Sequence, residues 1–466
     1  VIRMFIASRY VDSRVSGSAI LLLAALTLAI TACTAPSPDA TLKALLEQAE
    51  AVIPEEMPTF EDNPELVALG EALFWDPILS GNRDIACATC HHPDFGTGDG
   101  IPLSVGTGAT GLGPERSLGE GREFVPRNAT EIFNRGLPGW TTMFWDRRVF
   151  AIEDGVHFGS PAAYRLPAGL ENILAAQAMF PVLSRDEMRG DRGDLDVYGA
   201  PNEIAAINDK YVDEIWAAIM RRVLEIPDYV DLFANVFPAM PVDELGFQHA
   251  ANAIAAYEAQ TFTFLDSPFD RYLLGEEDAL SEAARRGALL FYGEAGCAAC
   301  HSGLLLTDQL PHNIGAPQLG PGKGVNDPLD PGVMLVSGEM DDRYSFRTPP
   351  LRNVALTAPY FHNGAYDDLA DVILHHLDPA AALREYSGAH LPAALQSMVQ
   401  RDAATQDAIL AWLDPEIENL PSLSGEQIAD LLVFLDALTS PTARDMSGLI
   451  PVSVPSGLPA GGALIP

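Results

Sequence analysis

Two stretches of the chain share one pattern of apolar and polar positions. NPELVALGEALFWDPILS (63–80) and SEAARRGALLFYGEAG (281–296) both place Leu, Ala and Phe at three- and four-residue intervals, which predicts a helix in each. Their centres nearly coincide, GEALF (Gly70 to Phe74) against GALLF (Gly287 to Phe291), and each runs directly into a C-x-x-C-H. The chain therefore reads as one helix-plus-motif unit used twice, about 210 residues apart. Further helices are expected over Asp213 to Ile226, Asp243 to Phe264, Asp367 to Leu377 and Gly425 to Leu438. Strand signals are sparse, and Pro and Gly gather around 100–127 and 311–332, as long loops do. The expected fold is mainly α, with two cytochrome-c-like helical domains over 46–265 and 266–440 and an extended tail over 441–466.

The first 33 residues have the pattern of an export signal. Arg3, Arg9 and Arg14 precede the short apolar run SAILLLAALTLAITAC, too short to span a bilayer comfortably. Ile30-Thr31-Ala32-Cys33 has the form of a lipoprotein cleavage box, with Cys33 the lipidated residue, followed by a tether over 34–45. The expected location is the periplasm, anchored to a membrane by an N-terminal lipid.

Composition narrows the partners more than the chemistry. Among 466 residues 48% are apolar, enough for full globular cores. Acidic residues outnumber basic ones 64 to 28, a formal charge of -36, which argues against nucleic acid and favours cationic partners. Surface solubility alone would account for the same excess.

Four of the five cysteines form two adjacent pairs, Cys87 with Cys90 and Cys297 with Cys300. Such pairs make poor staples and good attachment points. Two thiols on one turn can each add to a haem vinyl group, and the next residue, His91 or His301, then faces the iron. One accidental match is expected about 0.001 times in a chain of this composition, so two accidents are not credible. Zinc would require a fourth ligand per set, and a thiol-redox pair has no use for the following His. Two covalent c-type haems follow, with His91 and His301 as proximal ligands. His92 reads as a surface or propionate-side neighbour. The sixth ligand decides function, because a doubly capped iron passes electrons and an open one binds peroxide.

Beyond these sites the chain resembles the bacterial di-haem cytochrome c peroxidases and their relatives, the methylamine-utilisation di-haem enzymes, over most of residues 60 to 440. The resemblance is carried by PRNATEIFN, MFWDRR, QAMFPVLSRDEM, SPFDRYL, GCAACHSG and FRTPPLRNVALTAPYFHNGAYDDLADV. It implies two mainly helical domains, one haem each, with calcium between them. It further implies that Glu187 is the distal acid–base group, with Gln177 hydrogen-bonding in that pocket and Pro181 walling it. Trp145 would lie between the haems, and Asn128, Thr357 and Pro359 would hold calcium, the last two through carbonyls. PRNAT-E departs from the family pattern just after Asn128, which lacks the usual Pro two residues on.

The same resemblance addresses the sixth ligands. The cytochrome c peroxidase branch has a displaceable His sixteen residues after the proximal His; here that position is Thr107, a poor ferric ligand, so an open distal position is expected. At the second iron the family ligand lies fourteen residues after the His of PYFH, as Met or Tyr, and here that position is His376. Helical spacing agrees, since Leu369, Val372, Ile373 and His376 share a stripe while His375, the rival, turns toward Asp368 and Asp371. The expected activity is reduction of hydrogen peroxide to water, with electrons from a small donor protein, a c-type cytochrome or cupredoxin, entering through the second haem. The alternatives are a di-haem oxidase acting on residues of a protein substrate, and a non-catalytic electron carrier or peroxide sensor. The resemblance also implies a homodimer. His312 reads as a polar haem neighbour and His249 as a helix-face residue. Residues 190–210 and 380–421 are longer than the family pattern and carry no assigned role.

Overall fold

Gly70 and Gly287 occupy equivalent places in two helix crossings. A Cβ on Gly70 would lie 1.9 Å from the Ala253 carbonyl oxygen, and one on Gly287 would lie 2.0 Å from that of Asp430. Each glycine therefore lets a helix backbone rest directly on its neighbour. The repeat read from the sequence is thus a repeat of packing.

The computed structural model describes residues 37–54, 63–153, 157–324, 328–418 and 420–462. Pro38–Pro466 forms one compact unit. Its first helices are α1 (Pro38–Gln48), α2 (Pro64–Trp75) and α3 (Cys87–Cys90). A loop-rich stretch with the three short antiparallel strands β1 (Thr142–Met143), β2 (Val149–Ala151) and β3 (Phe158–Gly159) follows. Then come α4 (Ile173–Ala178), α5 (Glu203–Ala206), α6 (Val212–Leu224), α7 (Pro227–Val236) and α8 (Phe247–Thr261). The second half holds α9 (Pro268–Leu273), α10 (Glu282–Tyr292), α11 (Met334–Ser337), α12 (Leu369–Leu377) and α13 (Pro379–Glu385). It ends with α14 (Ala393–Gln396), α15 (Ala403–Leu410) and α16 (Gly425–Ala437), and its two strands β4 (Pro311–His312) and β5 (Phe346–Arg347) pair antiparallel. The mainly helical expectation holds.

Local chemistry sets the ends of the key helices. Asn63 accepts from the Leu66 amide with Pro64 at the first turn of α2, and Ser281 caps α10 through the Ala284 amide. Ser424 and Gln427 form a reciprocal capping box on α16. Two cores result. In the first, Leu69, Leu73 and Phe74 of α2 pack on Ala253 and Tyr257 of α8. In the second, Phe291 of α10 packs on Leu431 and Phe434 of α16.

The two chain ends depart from expectation. Residues 38–45 are helix α1 and not a tether: Leu42 and Leu46 are buried in the second core, and the Tyr272 hydroxyl donates to Asp39 at 2.6 Å. Residues 441–462 are not a free extended tail but a strap on the first core, where Ala443, Met446, Val454 and Leu458 are buried. Ser456 donates through its hydroxyl to one oxygen of Asp76 at 2.6 Å and through its amide to the other at 3.0 Å. Thr89 of α3 donates to the Gly461 carbonyl at 2.6 Å. Widely spaced apolar residues in a Pro/Gly-rich stretch have no helical or strand period, so the pattern conceals a packed segment. The expected lipidation site, Cys33, and the export signal lie outside the described residues.

The two long segments are knitted in. Residues 190–210 are tied to the first half through Asn202 with Asn82 and the Arg189 carbonyl, both at 2.8 Å. Residues 380–421 supply Tyr386, Leu391, Leu395 and Val399 to a small core with Leu103, Leu319 and Tyr366.

Candidate haem-binding sites

Each C-x-x-C-H folds into one turn with the same internal geometry. The His91 amide donates to the Cys87 carbonyl and the His301 amide to the Cys297 carbonyl, both at 3.0 Å. In both, Nδ1 lies 3.2 Å from a carbonyl, Thr97 for His91 and Leu306 for His301, which fixes the ring and leaves Nε2 for a metal. Burial pushes both imidazoles down to about 4, so they stay neutral and keep the lone pair an iron ligand requires. All four thiols are free of disulfides, as attachment demands. Gly96 permits the tight turn after His91: its φ is +64°, and a Cβ there would lie 2.0 Å from the Leu356 carbonyl oxygen. His92 differs from expectation. It is 4% exposed, accepts from the Asp94 amide, and packs edge-on against Trp75 at 5.7 Å, so it belongs to the core.

Around the second motif lies a large, mostly apolar cavity. Cys297, Cys300, His301 and His376 all line it. His376 points Nδ1 at the Val372 carbonyl, 2.7 Å away, which leaves Nε2 toward the cavity. His375, the rival ligand, is fully buried. Tyr366 donates to its Nδ1 at 2.9 Å, and its Nε2 donates to the Ile314 carbonyl at 2.8 Å, so neither nitrogen is left for iron. A mostly apolar space lined by both thiols and a neutral His suits a porphyrin. Arg347 adds a test of fit. It lines the cavity at 1% exposure with Nη1 unpaired, beside Arg135, whose Nη1 is unpaired too. Burial and the neighbouring Arg135 push the Arg347 guanidinium down to about 9. Such a cationic surplus calls for anions, and haem propionates would supply them.

Trp145 stands on the same cavity wall, buried, with its indole N–H donating to the Asn128 carbonyl at 3.0 Å. The Trp145 carbonyl in turn accepts from the Arg347 amide at 2.8 Å, joining the two halves. Asn128, Thr357 and Pro359 also line this cavity. The Asn128 amide nitrogen donates to the Ile101 and Pro102 carbonyls at 2.9 and 3.3 Å, which leaves Oδ1 as its donor atom for a hard cation.

On the first side, two turns stack. Gly106 lies so close to the Arg185–Arg189 turn that a Cβ would sit 1.8 Å from the Asp186 carbonyl oxygen, and the Thr107 amide donates to the Glu187 carbonyl at 2.8 Å. The Thr107 hydroxyl is committed to Asp84 at 2.7 Å. Burial raises the pKa of Glu187, against the pull of Arg148 and Lys323. Gln177 closes α4, two short turns ahead of Glu187. Sequence reasoning missed Asp84, which holds the Thr107 turn, and the ion pairs His312 makes. An Asp before the motif carried no periodic signal.

The residues 64–278 match the family model described as di-haem cytochrome c peroxidase. The methylamine utilization protein MauG of Methylorubrum extorquens is 32% identical over 328 residues, 70% of this chain and 72% of that one. The cytochrome c551 peroxidase of Pseudomonas aeruginosa is 32% identical over 345 residues, 72% and 80%. A crystal structure of a MauG-like protein associated with microbial copper homeostasis superposes with a TM-score of 0.55 at 27% identity, covering 85% of this chain and 94% of that one. The fold is also that of the diheme peroxidase BthA from Burkholderia thailandensis, TM-score 0.55, covering 84% and 93% at 20% identity.

Proposed function

The chain belongs to the di-haem cytochrome c peroxidase family, and from that premise we propose that it reduces hydrogen peroxide to water with electrons from a small donor protein. Cys87, Cys90 and His91 would hold one c-type haem and Cys297, Cys300, His301 and His376 the other, and these would supply two redox centres, the first to act on peroxide and the second to deliver electrons. The observation that carries this asymmetry is the engagement of Thr107: its hydroxyl faces Asp84, and no histidine stands at that turn.

Glu187 then acts as the proton carrier of the first site. Its carboxylate takes the proton from one peroxide oxygen and returns it to the other as the O–O bond breaks. A raised pKa suits both directions of that transfer. Gln177 orients the same pocket through hydrogen bonds. Trp145, on the wall of the second cavity, bridges the two halves for electrons. Two electrons and two protons convert one peroxide to two waters. Calcium bound by Asn128, Thr357 and Pro359 would fasten the loops carrying these groups. The signal-like pattern of the first 33 residues, with Cys33, supports a periplasmic enzyme tethered by lipid, where an acidic surface would favour a cationic donor.

Stopped-flow absorption of the as-isolated diferric protein with peroxide tests this. Rapid reaction before any electron is added is expected. A first site inert until reduction would overturn the open-site reading. The likeness to methylamine-utilisation relatives and Thr107 favour one second reading, oxidation of residues on a protein substrate. Turnover with a soluble cationic cytochrome distinguishes the two.

A further inference from the structure

We propose that Asp308, His312 and Asp414 form a fixed, net-negative charge unit that lowers the reduction potential of the haem held by Cys297 and Cys300. The inference rests on the reading of that site as the electron-delivering one.

His312 sits on β4, in the wall of the second cavity. Its Nε2 lies 2.9 Å from a carboxylate oxygen of Asp308 and its Nδ1 lies 2.6 Å from one of Asp414. A carboxylate only accepts, so both ring nitrogens must carry hydrogen, and the ring is an imidazolium. The neighbouring carboxylates, Asp308 first, raise its pKa above the ordinary imidazole value. One positive and two negative charges leave the unit at minus one. The side chains are only 14%, 17% and 18% exposed, so water screens them weakly.

The position gives the charge its effect. Ligand-type atoms of Cys300, Asp308 and His312 all lie within 4.8 Å of one another, so the unit adjoins the sulfur that attaches the cofactor. This is no metal site, because both imidazole nitrogens are taken and Cys300 belongs to the attachment motif. A negative charge beside a haem favours the ferric iron and lowers its potential. Asp414 comes from the long segment 380–421 and is locked there: its amide donates to the Asn313 carbonyl at 2.9 Å, and the Asn313 side chain donates to the Ile409 and Trp412 carbonyls, both at 2.9 Å. Tuning the second site is thus a role for that segment.

Spectroelectrochemical titration of the two-haem protein tests it. Asp414→Asn and Asp308→Asn each remove a negative charge and should raise the second midpoint without moving the first. His312→Gln leaves two carboxylates and should lower it, while His312→Lys keeps the charge and should stay near the parent value. Opposite signs are what loosened packing alone would not produce. Shifts in one common direction, or none in variants retaining two haems, would overturn the inference. A parent protein carrying fewer than two haems would remove the function proposed above as well.

Discussion

Thr107 and Glu187 are joined through their backbones: the amide of one donates to the carbonyl of the other across 2.8 Å. The residue at the position that the resemblance gives to a displaceable ligand thus also holds the turn of the proposed distal acid. Thr107→His should restore a ligand and convert the first iron to low spin. Electron paramagnetic resonance of the ferric protein would register this, together with loss of the prompt peroxide reaction. A first iron still high-spin would show that the turn cannot bring a ring to the metal.

Glu187 is raised by burial, so the pH dependence follows directly. Its carboxylate form is lost as pH falls through a pKa above the usual value of about 4.3, and peroxide turnover should fall with it. Glu187→Gln should reduce the rate by about 100-fold or more and remove that limb of the profile, with both haems retained. An unchanged rate would take Glu187 out of the reaction.

The neighbouring histidines of α12 should behave oppositely. His376→Ala should open the second iron, visible as a new high-spin signal. His375→Phe should leave the spectrum intact and destabilise the fold by about 1–3 kcal/mol, since the buried Tyr366 hydroxyl loses its acceptor. Denaturant melts and absorption spectra of the pair separate the roles.

Glu258 is buried in α8, and burial pushes it up to about 8. In the unfolded chain the same group titrates near about 4.3. Its contribution to stability is therefore full below that value and is lost as pH rises toward 8. Glu258→Gln should flatten the fall in melting temperature between pH 5 and pH 8 by roughly the linkage of this one group. An identical slope in both proteins would count against a neutral buried carboxyl.

Ser456→Ala should cost about 1 kcal/mol by removing one donor from buried Asp76. Ending the chain at Thr439 should cost far more, because Val454 and Leu458 then leave the first core. Thermal unfolding of both forms orders the two effects.

Helices α2, α6, α8, α10, α12 and α16 were legible because their apolar residues recur at three- and four-residue intervals, and their ends fall within a few residues of the expected ones. The haem turns were legible because their spacing is chemically specific. The surroundings of His375 were not legible. Helical spacing turns it off the stripe toward Asp368 and Asp371, but gives no sign of the Tyr366 hydroxyl and Ile314 carbonyl that engage its ring. The terminal strap was invisible because its contacts are made by single residues, such as Ser456 and Gly461, with no period between them.

Those same ends decide how separable the halves are. Helix α1 precedes the first motif in the chain yet fills the second core, and the strap follows the second motif yet closes over the first. Nicking the polypeptide near 266 would free neither half, since each holds the other's terminus like the two hooks of a clasp. Whatever motion serves electron entry must therefore occur with both hooks fastened, as a shift of loops and side chains and not as a parting of lobes.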